Sequence, residues 1–314
     1  MLDLKNKKIL VAGGSGFMGS HVVAALKSRG VSDEKIVAPN SAECDLRVFA
    51  DCQKAVKGID VVFDCAAVPG DILMREKIPG QLFYENLLMG IQLLEAARQE
   101  GVGKAVVIGS ATEYPADAPT PLNEESLWNG LPSSGNIPYG MSKRIVGIQG
   151  AMYRRESGFN AIHLLLTNSY GPGEKFESGY MVPSLIQKIM NAKARGEQEI
   201  EVWGTGQALR DLMYVEDAAE GIVRAAERYD DAAPLNIGSG AGISVKDLVM
   251  LLSKLIGFEG TIRWDTTKPE GDLKRLLDVS RAERTIGFKT KTPLEEGLKK
   301  TIEWHREQSS VTQV

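Results

Sequence analysis

A β-branched run, residues 8–12 (KILVA), enters the turn Gly13-Gly-Ser-Gly16-Phe-Met-Gly19, and a stretch with Val22, Val23 and Leu26 at helical spacing follows over residues 20–29. Strand, glycine turn and helix in that order form the context that binds a pyrophosphate. The glycines let the backbone turn tightly and approach the phosphates, whose charge the first N–H groups of the helix stabilise. This commits the chain to an α/β fold with a doubly wound parallel sheet. It makes Gly13, Gly16, Phe17 and Met18 candidate contacts to a dinucleotide.

Ile36-Val37-Ala38 reads as the second strand. An acidic residue after it would bond the ribose 2′-OH of NAD, and an Arg would accept the 2′-phosphate of NADP. Asn40 and Ser41 stand there instead, as cofactor contacts by position, and both NAD and NADP stay open. Asp45 and Leu46, two further candidates on the cofactor side, precede a helical stretch that runs to Val56. The strand over residues 60–64 leads into Cys65-Ala66-Ala67, small residues that suit a backbone lying against a dinucleotide.

Residues 83–100 carry Leu87, Leu88, Ile91, Leu94 and Ala97 at helical spacing. Gly101 and Gly103 stop that helix. A buried strand over 104–108 then ends at Ser110-Ala-Thr112-Glu113-Tyr114-Pro115, the carboxyl edge where open α/β sheets hold ligands. After a Pro-, Asn- and Ser-rich loop, Tyr139-Gly-Met-Ser-Lys143 introduces a helix over 141–156. A Tyr and a Lys four residues apart share a helix face. An ammonium beside a phenol favours the phenolate, so Lys143 is expected to pull the Tyr139 pKa down toward working pH. Tyr139 then becomes a proton donor or acceptor at a carbinol, with Ser110 converging on the same cofactor.

With 314 residues, 43% hydrophobic and 25% charged, the chain is long enough for one large domain and a smaller lobe. A net charge of −4 with dispersed basic residues argues against a nucleic-acid or membrane partner. Cys44, Cys52 and Cys65 form no C-x-x-C, so no disulfide framework and a reducing compartment are expected. His21, His163 and His305 show no metal-ligand spacing. The amino terminus runs straight into a strand, and no apolar run reaches membrane-spanning length, so a cytoplasmic protein without a bound metal is expected.

Further motifs come in order along the chain: Thr167-Asn168-Ser-Tyr170-Gly-Pro172, Met181-Val-Pro183, Val202-Trp-Gly-Thr-Gly206, Arg210-Asp-Leu-Met-Tyr-Val-Glu-Asp217, Lys268-Pro-Glu-Gly271 and Arg275-Leu-Leu-Asp278. With the glycine turn, Ser110 and YGMSK, this series resembles the extended short-chain dehydrogenase/reductases, or NAD-dependent epimerase/dehydratases. It is most similar to the GDP-L-fucose synthases, over roughly residues 7–305.

The resemblance implies a nicotinamide cofactor and a nucleoside-diphosphate sugar. Tyr139 would be the general acid/base, Lys143 would hold the nicotinamide ribose, and Ser110 would hydrogen-bond the reacting oxygen. Asn168 would lie near the substrate phosphates, Val182 and Pro183 beside the base, and Trp203 and Gly204 at the edge of the nucleotide pocket. Arg210 would grip the diphosphate, a role suited to a guanidinium fork, with Lys268 and Arg275 as weaker candidates of the same kind. The same resemblance implies a dinucleotide-binding domain over 1–168, with 208–238 returning to it, and a nucleotide-sugar lobe from 169–207 and 239–314. It also implies a homodimer paired through the helices at 83–100 and 141–156, where Gly147 and Gly150 would allow close approach.

Three departures narrow the chemistry. Dehydratases of this family carry Asp-Glu directly after the equivalent Ser or Thr, and here those positions are Ala111 and Thr112. Glu113 comes one residue later, where an extended strand end would turn its side chain away, which excludes a 4,6-dehydratase. Fucose synthases place a Cys two residues after the Ser and a His beyond Y-G-P, where this chain has Thr112 and Glu177. A threonine hydroxyl is no base at neutral pH without strong activation, so C-3/C-5 epimerisation is not expected. Ser15, Asn40 and Ser41 replace the arginines of the NADPH-using fucose synthases. What is left is 4-keto reduction, or a cycle like that of UDP-hexose 4-epimerases with tightly held NAD, which Ser110-Ala-Thr112 also resembles. A dinucleotide-sensing regulator on the same fold is a further reading, opposed by the joint presence of Ser110, Tyr139 and Lys143.

Overall fold

The computed structural model describes residues 1–68, 72–268 and 271–311. In chain order the strands are β1 (Ile9–Ala12), β2 (Ile36–Val37), β3 (Val61–Asp64), β4 (Lys104–Ser110), β5 (Ala161–Leu166), β6 (Asn168–Tyr170), β7 (Glu199–Trp203), β8 (Leu209–Tyr214), β9 (Leu235–Ile237), β10 (Gly242–Ser244), β11 (Thr261–Asp265) and β12 (Lys274–Arg275). The helices are α1 (Phe17–Ser28), α2 (Phe49–Val56), α3 (Ile72–Lys77), α4 (Pro79–Glu100), α5 (Ile137–Ser157), α6 (Met181–Arg195), α7 (Val215–Arg228), α8 (Val245–Ile256), α9 (Ser280–Ile286) and α10 (Leu294–Val311).

Six parallel strands form the main sheet in the order β2-β1-β3-β4-β5-β9. Period-two alternation divides their side chains between two cores. Ile9, Val11, Val61, Phe63, Val106, Ile162 and Leu164 meet α1, α7 and α9 on one face. Leu10, Val62, Ala105, Val107 and Ala161 meet α2, α4 and α5 on the other. Strand order reverses between β1 and β3, and in open α/β sheets that switch point opens the ligand crevice at the strand carboxyl ends.

The second body has its own core, built from α6, β7, β8, α8 and α10. β8 pairs with β6, β10 and β12 in a small sheet, although it lies in the 208–238 stretch expected to return to the first domain. Of the next two elements, α7 packs in the first core and β9 closes the main sheet. α5 begins at Ile137, four residues before the expected start, because Pro138 supplies a preset φ in the first turn. Tyr139 therefore sits in a helical first turn rather than ahead of it. α10 runs on through Val311, the last of the described residues.

Gly147 and Gly150 do not face outward. A Cβ on Gly147 would collide with the His163 ring and one on Gly150 would lie 2.9 Å from Ala161 Cβ, so both glycines seat α5 on β5 of the same chain. Among the described residues no helix is long and apolar enough to cross a membrane.

Candidate active site

The cofactor side starts at the glycine turn. Gly13 has φ +72°, and a Cβ there would stand 2.9 Å from both N and Cα of Ala66, so the turn after β1 lies directly on the end of β3. A Cβ on Gly14 would stand 2.6 Å from the Ala38 Cβ. Gly16 is the N-cap of α1, no side chain caps that helix, and its first turn contains no acid. Its leading N–H groups, with Phe17 and Met18 half-buried beside them, fit a pyrophosphate.

The other cofactor candidates are partly engaged within the chain. The Asn40 side chain accepts from the N–H of Ala42 at 2.9 Å and of Glu43 at 3.2 Å, closing its own turn. Asp45 is paired with Arg47 at 2.9 Å. Leu46 is buried in the second core, while Ser41 and Ala67 are exposed. Cys65 is half-buried, with its thiol pushed up by burial and by neighbouring Asp64.

β4 ends in a tight 3-10 turn over Ala111–Glu113. Ser110 caps it: its Oγ accepts from the Thr112 N–H at 3.2 Å and from the Thr112 Oγ1 at 3.0 Å. With two donors already on that oxygen, the hydroxyl hydrogen of Ser110 is left to be given to a ligand. Glu113 bonds the Ser110 N–H at 2.8 Å and pairs with the buried His163 at 3.2 Å. The expected extended strand end is therefore wrong, because the capping box curls the chain. The Glu113 carboxylate lies buried under this turn, its Oε1 taken by the Ser110 N–H and the His163 ring while Oε2 has no hydrogen-bond partner among the described residues.

Gly140 locks the next element in place. A Cβ there would lie 2.8 Å from the Thr112 carbonyl carbon and 3.3 Å from Glu113 Cα, so the first turn of α5 rests on the Ser110–Glu113 turn. Tyr139 is carried on that same first turn of α5. Burial pushes the Tyr139 phenol up to about 12; Arg75 opposes that shift, and the Glu113 and Asp64 carboxylates add to it. Lys143 does not supply the expected lowering, because its Nζ donates to the Ala66 carbonyl at 2.9 Å and its charge acts on buried Asp64. Arg75 lies instead over the Tyr139 ring, 5.7 Å from the centroid. Nothing in the sequence marks Arg75, whereas Asn136, two residues before Pro138, was readable as a helix cap.

On the substrate side, β8 and β12 place Arg210 and Arg275 as direct neighbours across a parallel ladder. Arg210 is held by backbone oxygens. It donates to the carbonyls of Leu209 at 2.9 Å and Asp272 at 2.7 Å, while Asp211 accepts from Ser239 N–H at 3.0 Å. Arg275 pairs with the Asp272 carboxylate. The Lys268 ammonium stands 5.8 Å from the centre of the half-exposed Trp203 ring. Asn168 is exposed at the start of β6, and Val182 is buried in α6. Pro269, Glu270 and the side chain of Glu177 lie outside the described residues.

A parallel sheet with a glycine turn at its switch point defines a dinucleotide-binding α/β fold. The chain belongs to the NAD dependent epimerase/dehydratase family, whose model matches residues 9–238. It is 34% identical over 307 residues to GDP-L-fucose synthase 1 of Arabidopsis thaliana, covering 96% of this chain and 94% of that one. Among solved structures it is similar to a GDP-6-OMe-4-keto-L-xylo-heptose reductase from C. jejuni, with TM-score 0.90, 26% identity and coverage of 97% and 99%. It is also similar to a GDP-mannoheptose C4 reductase from Campylobacter jejuni with NADP bound, with TM-score 0.87, 27% identity and coverage of 96% and 99%.

Proposed function

We propose that this chain reduces the 4-keto group of a GDP-linked sugar with NADPH or NADH, without epimerising C-3 or C-5. The observation that carries the reading is the seating of Gly140 on Thr112, which supports a Tyr139 on the first turn of α5 working together with the turn that Ser110 caps. A nicotinamide cofactor held at the glycine turn would supply the hydride. Ser110 donates to the carbonyl oxygen and polarises it, and Tyr139 gives that oxygen its proton. A phenol pushed up to about 12 is protonated at neutral pH, the state a reduction requires. Lys143, reaching the strand end against the glycine turn, is placed to hold the nicotinamide ribose once the Ala66 carbonyl yields it.

The missing epimerase follows from the same turn. The Thr112 hydroxyl donates to Ser110, and Oε1 of Glu113, the nearest carboxylate in sequence, is held by the Ser110 N–H and His163. Arg210 and Arg275 are read as the diphosphate grip, with Trp203, Lys268, Asn168 and Val182 around the nucleotide. The lobes are read as 1–168 with 215–238, and 169–214 with 239–314. A homodimer is supported by Tyr84, Ile148 and Met152, large exposed side chains on α4 and α5.

The test supplies NADPH or NADH and a GDP-linked 4-keto-6-deoxyhexose in deuterated water. Stoichiometric cofactor oxidation with no deuterium at C-3 or C-5 is expected. Deuterium at those carbons would restore the epimerase. Interconversion of 4-hydroxy sugars by tightly retained NAD would establish the 4-epimerase cycle instead.

A further inference from the structure

We infer that Arg75 is a positioning residue for Tyr139: its guanidinium, aimed by Asn136 and tied through Asp272 to the second lobe, is the cation that favours the phenolate. The inference rests on the reading of Tyr139 as the group that moves the proton.

Asn136 is the N-cap of α5, yet its side chain makes no cap bond to the helix. An Asn in that place ordinarily bonds the N–H groups of the first turn, because they have no other partner. Here the amide is directed elsewhere. Its Oδ1 accepts from Arg75 Nη1 at 2.5 Å, and its Nδ2 donates to Asp272 Oδ2 at 3.0 Å and Ser133 Oγ at 2.8 Å. The residue is buried to 8% exposure, so its bonds are made out of bulk water. Asp272 in turn holds both neighbouring arginines, Arg275 on its carboxylate and Arg210 on its carbonyl at 2.7 Å. A continuous polar path therefore runs from the Tyr139 ring through Arg75, Asn136 and Asp272 to the arginines read as the diphosphate grip.

The charges facing Tyr139 come from several elements. Arg75 on α3 favours the phenolate, while Asp64 at the end of β3 and Glu113 in the turn after β4 disfavour it. Lys143, on the same helix as Tyr139, is directed to the Ala66 carbonyl. Arg75 thus fills the electrostatic role that the Y-x-x-x-K spacing assigns to the lysine. A guanidinium is suited to it, since it stays charged at every working pH and lies flat on an aromatic face.

The experiment places 3-fluorotyrosine at position 139 and follows its fluorine resonance against pH in the cofactor-free protein, alone and with Arg75→Gln or Arg75→Lys. Arg75→Gln keeps a polar partner for Asn136 and should move the phenol titration up by roughly one pH unit or more, the size expected of a cation within ~6 Å. Arg75→Lys should restore most of it. Titration at the unsubstituted pH in both variants would overturn the inference, as would an equal shift in both. In turnover, Arg75→Gln should carry the alkaline limb of kcat to higher pH with KM changed less than kcat. The fluorine titration needs no substrate. A shift there with no reduction of any 4-keto sugar by the unsubstituted protein would refute the proposed function and leave Arg75 in its role.

Discussion

The ammonium of Lys143 donates to the backbone carbonyl of Ala66 at 2.9 Å, and Ala66 is the residue on which Gly13 rests. One side chain therefore spans from the reaction centre to the strand end facing the dinucleotide turn. It also stands near Asp64, a buried carboxylate that burial pushes up and the Lys143 charge pulls back.

Lys143→Met removes that charge and leaves the Ala66 carbonyl and Asp64 without it. Affinity for NADPH, measured by fluorescence titration, should fall at least about tenfold, and turnover by about 10²- to 10⁴-fold, the range for losing support of a proton-transfer step. Lys143→Arg should retain part of the binding and little of the turnover, since a planar fork does not reproduce a point charge. Unchanged cofactor affinity in Lys143→Met would remove the lysine from the dinucleotide site.

The hydroxyl of Thr112 is assigned to orientation and not to acid/base chemistry. Thr112→Val keeps the shape but loses the 3.0 Å bond to Ser110 Oγ. A neutral hydrogen bond contributes about 1 kcal/mol net, so kcat should drop about five- to tenfold, and Thr112→Ser should restore it. A loss of a thousandfold or more would show that Thr112 handles a proton itself.

Gly140→Ala tests the seating of α5. The new methyl would meet backbone atoms of Thr112 and Glu113, which cannot swing aside as a side chain would. Overpacking of this kind costs about 1–3 kcal/mol. Urea unfolding should shift by that amount, and kcat should fall more than stability does, because Tyr139 is carried away from Ser110. Wild-type kcat in a stable Gly140→Ala protein would show that the contact positions nothing.

How much of this could be read beforehand depended on distance along the chain. The glycine turn, the strand end at Ser110 and the pair Tyr139/Lys143 were legible because each is a local pattern within a few residues. The turn after Ser110 was not, since an extended continuation and a 3-10 curl share the same sequence. What selects the curl is Glu113 bonding back to the Ser110 N–H, with His163 on β5 as its second partner. The lysine's electrostatic surroundings are not legible for a related reason. Spacing places Tyr139 and Lys143 on one helix face but does not say that a carbonyl 77 positions earlier competes for the ammonium. Arg75, Asn136 and Asp272 come from three separate segments, and only folding brings them together.

Glu174 gives a pH dependence of stability separate from catalysis. It follows the Gly171-Pro172-Gly173 turn after β6, is 5% exposed, and burial pushes its carboxyl from 4.5 up to about 8. Between those values the folded chain holds a proton that the unfolded chain has released, so stability falls as pH rises across that window and levels off above it. Glu174→Gln keeps the size and removes the titration. The variant should match the wild type near pH 4.5 and exceed it near pH 8 by up to a few kcal/mol, an upper range set by the width of the shift. Urea unfolding at both pH values checks this. Parallel stability curves for the two proteins would mean that the carboxylate ionises in the folded state without cost.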